Sequence, residues 1–173
     1  MKKYFNLFLI GLFSVFMISC SDDNNSVADG DTYSVVYDIT DNFAYDDKID
    51  AYAISRTFNQ PIPNSDVVLV YRQSSVSNGN PVWKLTPYTL YLNEGELDYS
   101  FDFTKNDVYI TADGTMNFAN QNATFLNSYL NNQKFRIVIV PASFGRTKEP
   151  LSMEYNDVIK RYNINDAHVT TLK

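Results

Sequence analysis

Cys20 is the only cysteine in the chain, and it stands directly behind Met17-Ile18-Ser19. A thiol placed after a small residue, at the end of an apolar run with a basic head, is set up for thioether attachment to diacylglycerol. Lys2 and Lys3 form the head, and Tyr4 to Ile18 is the run, too short to span a bilayer. The order predicts a lipoprotein signal peptide over residues 1–19, with cleavage leaving Cys20 as the lipidated N-terminus. Each buried methylene of an acyl chain contributes about 0.8 kcal/mol, and one chain alone holds a protein only marginally. The two or three chains of a lipoprotein make release negligible, so the membrane is the first expected partner.

Carboxylates are the next groups able to do chemistry. Asp41, Asp46, Asp47 and Asp50 fall within ten residues around an expected hairpin turn. Oxygen ligands gathered there are weak candidates for Ca²⁺, although the spacing does not match an EF-hand loop. Asp98 and Asp102 share the outward face of one expected strand, roughly 13 Å apart. That exceeds the separation a glycosidase pair needs, so hydrolysis would require an acid from a neighbouring strand. Aromatic rings offer a different chemistry, stacking on sugar rings. Tyr88, Tyr91 and Tyr109 are the candidates, with Trp83 read more simply as a core anchor behind a turn.

Absences narrow the classes. With Cys20 consumed by lipid, no disulfide, thiolate metal site or cysteine nucleophile is available. His168, the sole histidine, lies five residues from the C-terminus, so multi-histidine metal sites are excluded and a Ser-His-Asp triad is disfavoured. No G-x-G-x-x-G or Walker-type loop appears, and no cofactor is expected. The formal net charge is −6, and it becomes two units more negative once Lys2 and Lys3 leave with the signal. An acidic surface disfavours nucleic acid. Arg72, Lys84 and Arg136 are read as edge caps or partners of acids, not phosphate ligands. The Asn122-Ala123-Thr124 triplet matches a glycosylation sequon, which carries little meaning if the expected lipoprotein signal is a bacterial one.

The elements that must position these groups read as strands. Aromatic residues make up 15% of the chain, 13 of them Tyr, and apolar positions alternate with polar ones over short segments. Tyr33, Val35, Tyr37 and Ile39 share one face, as do Leu97, Tyr99, Phe101 and Phe103. Residues 66–72 and 135–140 are nearly continuous aliphatic runs, the pattern of central strands covered on both sides. Asp46-Asp47-Lys48 closes a hairpin from 42–45 to 51–58, and Ser77-Asn78-Gly79-Asn80-Pro81 is the strongest turn. Asn93-Glu94-Gly95 joins one strand over 83–92 to another over 97–104. A helical turn is expected around 123–130. A second helix is expected over 152–162, with Ser152 as N-cap and Met153, Val158, Ile159 and Tyr162 on its packed side. The fold class is all-β: one antiparallel β-sandwich domain over 32–173 with a short C-terminal helix. Residues 20–31 form a polar acidic tether able to reach roughly 35 Å when extended.

The runs Asp66 to Arg72, Val82-Trp83-Lys84-Leu85-Thr86-Pro87 and Phe135 to Pro141 follow one another in a recognisable order. This succession resembles a group of small, uncharacterised Bacteroidota outer-membrane lipoproteins, some of which carry a collagen-like Gly-rich stretch after the lipid cysteine. The present chain has Ser21 to Asp31 in its place. Ser21, Asp22 and Asp23 likewise resemble the acidic export tag of surface-exposed lipoproteins in that phylum. The resemblance implies anchor and fold and carries over no functional residue. The expected function is a lipid-anchored module on the extracellular face of the outer membrane that binds a glycan or protein without catalysis. The alternatives are a carboxylate-dependent, glycosidase-like hydrolase and a structural envelope protein facing the periplasm. Protease treatment of intact cells separates the two orientations. Loss of the domain on blots, with a periplasmic control surviving, is the expected result.

Overall fold

Period-two alternation becomes ten strands among the described residues, which are 34–141, 152–167 and 169–172 of a computed structural model. The expected signal peptide, Cys20, Ser21, Asp22, Asp23, the tether, Tyr33 and His168 lie outside them. Along the chain run β1 (Val35–Asp41), β2 (Ala44–Asp46), β3 (Ala51–Thr57), β4 (Val67–Ser77) and β5 (Asn80–Leu85). They are followed by β6 (Tyr88–Leu92), β7 (Gly95–Phe103), β8 (Asp107–Gly114) and a 3₁₀ turn (Phe118–Asn120). Then come α1 (Ala123–Tyr129), β9 (Gln133–Val140), α2 (Tyr155–Arg161) and β10 (Thr170–Thr171). Among the described residues no helix is long and apolar enough to cross a membrane.

Two five-stranded sheets result, in the orders β10-β1-β9-β4-β5 and β2-β3-β8-β7-β6. One buried cluster draws Ile39, Val70, Phe135 and Ile137 from the first sheet and Ile54, Leu97, Tyr99 and Ile110 from the second. The molecule is therefore all-β and sandwich-like, as its alternation predicts. β4 and β9 are the expected strands covered on both sides. Their other faces join a second cluster, in which Tyr71, Val138 and Val140 pack with Tyr155, Val158 and Tyr162 at α2. The sandwich core thus has an extra layer on one side, formed by α2.

Four expectations need correction. The sheets are not wholly antiparallel: β10 runs parallel to β1, pairing Tyr37 with Thr170 and Asp38 with Thr171. Leu172 N–H donates to Asp38 O at 3.0 Å, so the chain end covers an otherwise open edge. Side-chain alternation carries no information about strand direction. The single strand expected over 83–92 is two strands in different sheets, because β5 pairs with β4 and β6 with β7. Between them Thr86 donates through both its N–H and its hydroxyl to Val70 O, at 2.9 and 2.8 Å. Pro87 has no N–H with which to continue the ladder.

The helices shift as well. Glu154, not Ser152, occupies the N-cap of α2, and it makes no side-chain capping bond. The Ser152 hydroxyl instead donates to Asp157 Oδ2 at 2.6 Å. Met153 is exposed, away from the packed side where Tyr155 and Val158 sit. By contrast Asn122 caps α1, its side chain accepting from Phe125 N–H at 2.9 Å.

Two glycines carry the tight geometry. Asn78 (φ 51°) and Gly79 (φ 81°) form the left-handed pair that a two-residue hairpin demands. Gly114 (φ 153°) lies against β7 so closely that a Cβ would stand 1.9 Å from Glu96 O. Gly114→Ala should therefore force β7 and β8 apart at that end and lower stability by at least about 2 kcal/mol. The check is a urea unfolding curve with a lower midpoint and an unchanged slope.

Candidate functional site

The three tyrosines singled out from the sequence do not form one platform. Tyr88 and Tyr91 are three positions apart on a strand, so they point to opposite faces. Tyr88 faces the core, where its hydroxyl accepts from Arg72 Nη1 at 3.1 Å and its ring packs 5.5 Å from Tyr99. Tyr91 is 80% exposed on the outer face of the second sheet. Tyr109 shares that face, but its register partner on β7 is Asp102 whereas that of Tyr91 is Glu96. Six positions along β7 separate the two rings by about 20 Å. Trp83 lies on the outer face of the first sheet instead of in the sandwich core, with the Arg136 guanidinium 4.6 Å above its ring. That face of the indole is closed to a ligand.

The acids near the first hairpin are dispersed into separate contacts. Asp41 pairs with Arg56. Asp46 Oδ2 accepts from the Tyr109 hydroxyl at 2.7 Å, and its Oδ1 accepts from Lys48 N–H at 3.0 Å. Asp50 Oδ1 accepts from the Tyr45 hydroxyl at 2.6 Å. Asp47 joins none of these. Among the described residues no three His, Cys, Asp or Glu side chains gather where they could hold a metal. On the outer face of the second sheet Asp98 stands opposite Asp113 and accepts from the Thr89 hydroxyl. Asp102 stands opposite Tyr109.

Two arginines organise the interior. Arg136 donates to both Asp38 oxygens, at 2.7 and 2.8 Å, and to the Tyr155 hydroxyl at 2.5 Å. The Tyr155 hydroxyl in turn donates to Asp166 Oδ2 at 2.6 Å. Burial works against the guanidinium charge, but the Asp38 and Tyr155 contacts outweigh it and push its pKa up. Burial, then the Asp166 bond, pushes the Tyr155 phenol up too. The expected pairing of Arg136 with acids is thus present. Arg72 differs: it is buried and makes no ion pair among the described residues. It donates to Gln133 Oε1, Tyr88 Oη and Ser128 O, and its guanidinium lies 4.5 Å from the Tyr99 ring centroid. Lys84 sits on the edge strand β5, its Nζ 4.2 Å from the Tyr88 ring centroid.

Apart from Asp50, the side chains that do converge are not among the candidates named from the sequence. The β2–β3 hairpin sets Tyr45 opposite Tyr52, their rings edge-on at 5.5 Å. The 3₁₀ turn after β8 brings Phe118 to 5.1 Å from Tyr52. Asn117 caps that turn, its side chain accepting from Ala119 N–H at 3.0 Å. These rings, with Asp50, Asp113 and Asn117, line a cleft of about 610 Å³. The size falls within the usual range of ligand pockets. No Lys or Arg lines it. Tyr45 lines the cleft and is 56% exposed. The expected hairpin contains the pairing of Tyr45 with the strand that follows it. Nothing local in the sequence brings Phe118 there, because the path of the chain after Gly114 decides it.

Comparisons of the chain with protein-family models, with curated proteins and with solved structures find no match.

The bond from Tyr109 to Asp46 ties β8 to the end of β2, one residue beyond Tyr45. It also holds the Asp46 carboxyl below the usual carboxylate range, with the Lys48 N–H adding to the effect. A carboxyl whose folded pKa is depressed contributes stability above its unfolded pKa and loses it as pH falls through the folded value. In Tyr109→Phe the Asp46 carboxyl should titrate higher, as read by NMR. The stability difference from the parent chain should hold at neutral pH and shrink in acid.

Proposed function

We propose that the chain is a lipid-anchored, surface-exposed module that binds a glycan without catalysis, and that the Tyr45–Tyr52–Phe118 cleft is where a sugar docks. One observation carries this reading: a largely exposed tyrosine side chain stands beside side-chain carboxylates and an amide in one cleft. Sugars present C–H faces that stack on aromatic rings and hydroxyls that donate to carboxylate and amide oxygens. Asp50 and Asp113 each have one oxygen engaged locally, with Tyr45 and with Gly114 N–H. Their second oxygens are available to hydroxyl donors. The anchor at Cys20 and the tag Ser21, Asp22 and Asp23 support the outward orientation, and the tether supplies reach. A carboxylate-dependent hydrolase is the second reading. It rests on Asp98 standing directly opposite Asp113, a register that sets side chains about 5 Å apart.

The test is affinity electrophoresis of the domain through gels containing neutral polysaccharides. Retardation by at least one is expected, and Tyr45→Ala should weaken it by about tenfold, the loss of one stacking partner. Mobility unchanged in every gel would end the glycan reading. New reducing ends in the retarding gel would favour the hydrolase.

A further inference from the structure

A second cleft, of about 450 Å³, lies between the β6–β7 turn and α1. Tyr91 lines it, the most exposed large apolar side chain among the described residues at 80%. Around it stand Asn93, Asn122, Thr124, Ser128 and Tyr129. Asn122 Oδ1 is held by the N-terminus of α1, which leaves its amide N–H groups to a ligand. The Tyr129 ring is fixed against Phe125 at 4.7 Å, and its carbonyl accepts from the Tyr99 hydroxyl at 2.7 Å. This cleft is therefore built on α1 and the core, and it repeats the chemistry of the first: an open ring, amides and hydroxyls, with no Lys or Arg in the lining.

The segments that line the two clefts touch. The turn Asn93–Gly95 lies against the segment that follows β8. Thr115 N–H donates to Glu96 O at 3.1 Å, and its hydroxyl accepts from Glu96 N–H at 3.0 Å. A Cβ on Gly95 would stand 3.0 Å from Thr115 Oγ1 and 3.2 Å from Met116 Cβ. Leu92 to Glu94 then face one cleft while Gly114 and Met116 to Ala119 face the other. From this we infer that the two clefts are subsites of one surface, and that the ligand is an uncharged polysaccharide segment long enough to cover both. The inference rests on the glycan reading above. Asp50, Asp113 and Glu94 repel carboxylates and sulfates, and no cation in either lining offsets them. A neutral chain has no charge to leave unpaired and can donate hydroxyls to every acceptor along both clefts.

The experiment titrates the domain with size ladders, disaccharide to octasaccharide, of α-1,4-glucan, β-1,3-glucan, β-1,4-xylan and β-1,4-mannan, with oligogalacturonate as the anionic counterpart. Affinity for one neutral ladder should rise with chain length in the parent chain. Tyr91→Ala, at an exposed position that leaves the core untouched, should abolish that rise, weakening the octasaccharide about tenfold and sparing the disaccharide. Oligogalacturonate should bind more weakly at every length. If Tyr91→Ala leaves the length dependence intact while Tyr45→Ala weakens binding, the two-subsite inference is overturned and the glycan reading stands. Tighter binding of oligogalacturonate than of any neutral ladder overturns the assignment of an uncharged ligand. Failure of every ladder to bind the parent chain overturns both readings.

Discussion

The Arg136 guanidinium is where separate parts of the molecule meet. Asp38 reaches it from β1, Tyr155 from α2, Asp166 from the segment beyond α2, and Trp83 from β5. A guanidinium leaves water at a cost of several kcal/mol unless its N–H groups find acceptors. Here the acceptors come from distant points of the chain, so the charge is tolerated only when all of them are in place. Apolar contact between α2 and the first sheet is non-directional and would accept the helix in several rotations. The bidentate Asp38 pair and the Arg136–Tyr155–Asp166 chain of hydrogen bonds are directional and select one. The same guanidinium stacks on one face of Trp83, tying β5 to the group as well.

Arg72 solves the burial problem differently. With no carboxylate among its partners, its charge rests on the Gln133 amide oxygen, the Ser128 carbonyl, the Tyr88 hydroxyl and the Tyr99 ring face. Gln133 turns its own amide onto Ser128 O and Asn131 O, so the polar group closes on itself. This fastens the end of α1 to β4 and β9. The second cleft inherits its rigidity from that attachment, since Ser128 and Tyr129 belong to the fastened turn. The first cleft gains its own from Tyr109 and Asp46 at the root of the β2–β3 hairpin. Both clefts therefore lie over locked elements, which lowers the ordering cost of holding any ligand there.

The strands were largely legible because alternation follows from the pleat itself. Leu97 and Tyr99 had to face inward together, and both are fully buried. β4 and β9 were legible as central strands because their aliphatic runs have no polar face to offer water. The split between β5 and β6 was marked by Pro87, a residue that ends a ladder, yet the alternation on either side of it read as continuous. The candidate site was less legible. Tyr45 and Tyr52 could be paired from the expected hairpin alone, but the third ring and one wall of the first cleft come from the path of residues 114–119. That path is fixed by Thr115 against Glu96 and by the close approach of Gly114, contacts made across the sheet and not along the chain.

By itself the sequence determined the strand content, the apolar faces and the hairpin turns at Asn78-Gly79 and Asn93–Gly95. These depend on local sterics and on the order of residues in a short window. Only the tertiary structure decided which tyrosines stay open, which of Arg72 and Arg136 is paired with acids, that β10 lies parallel beside β1, and that the β6–β7 turn meets the segment after β8. Each of those outcomes depends on groups far apart in the chain meeting in space, and side-chain alternation holds no record of such meetings.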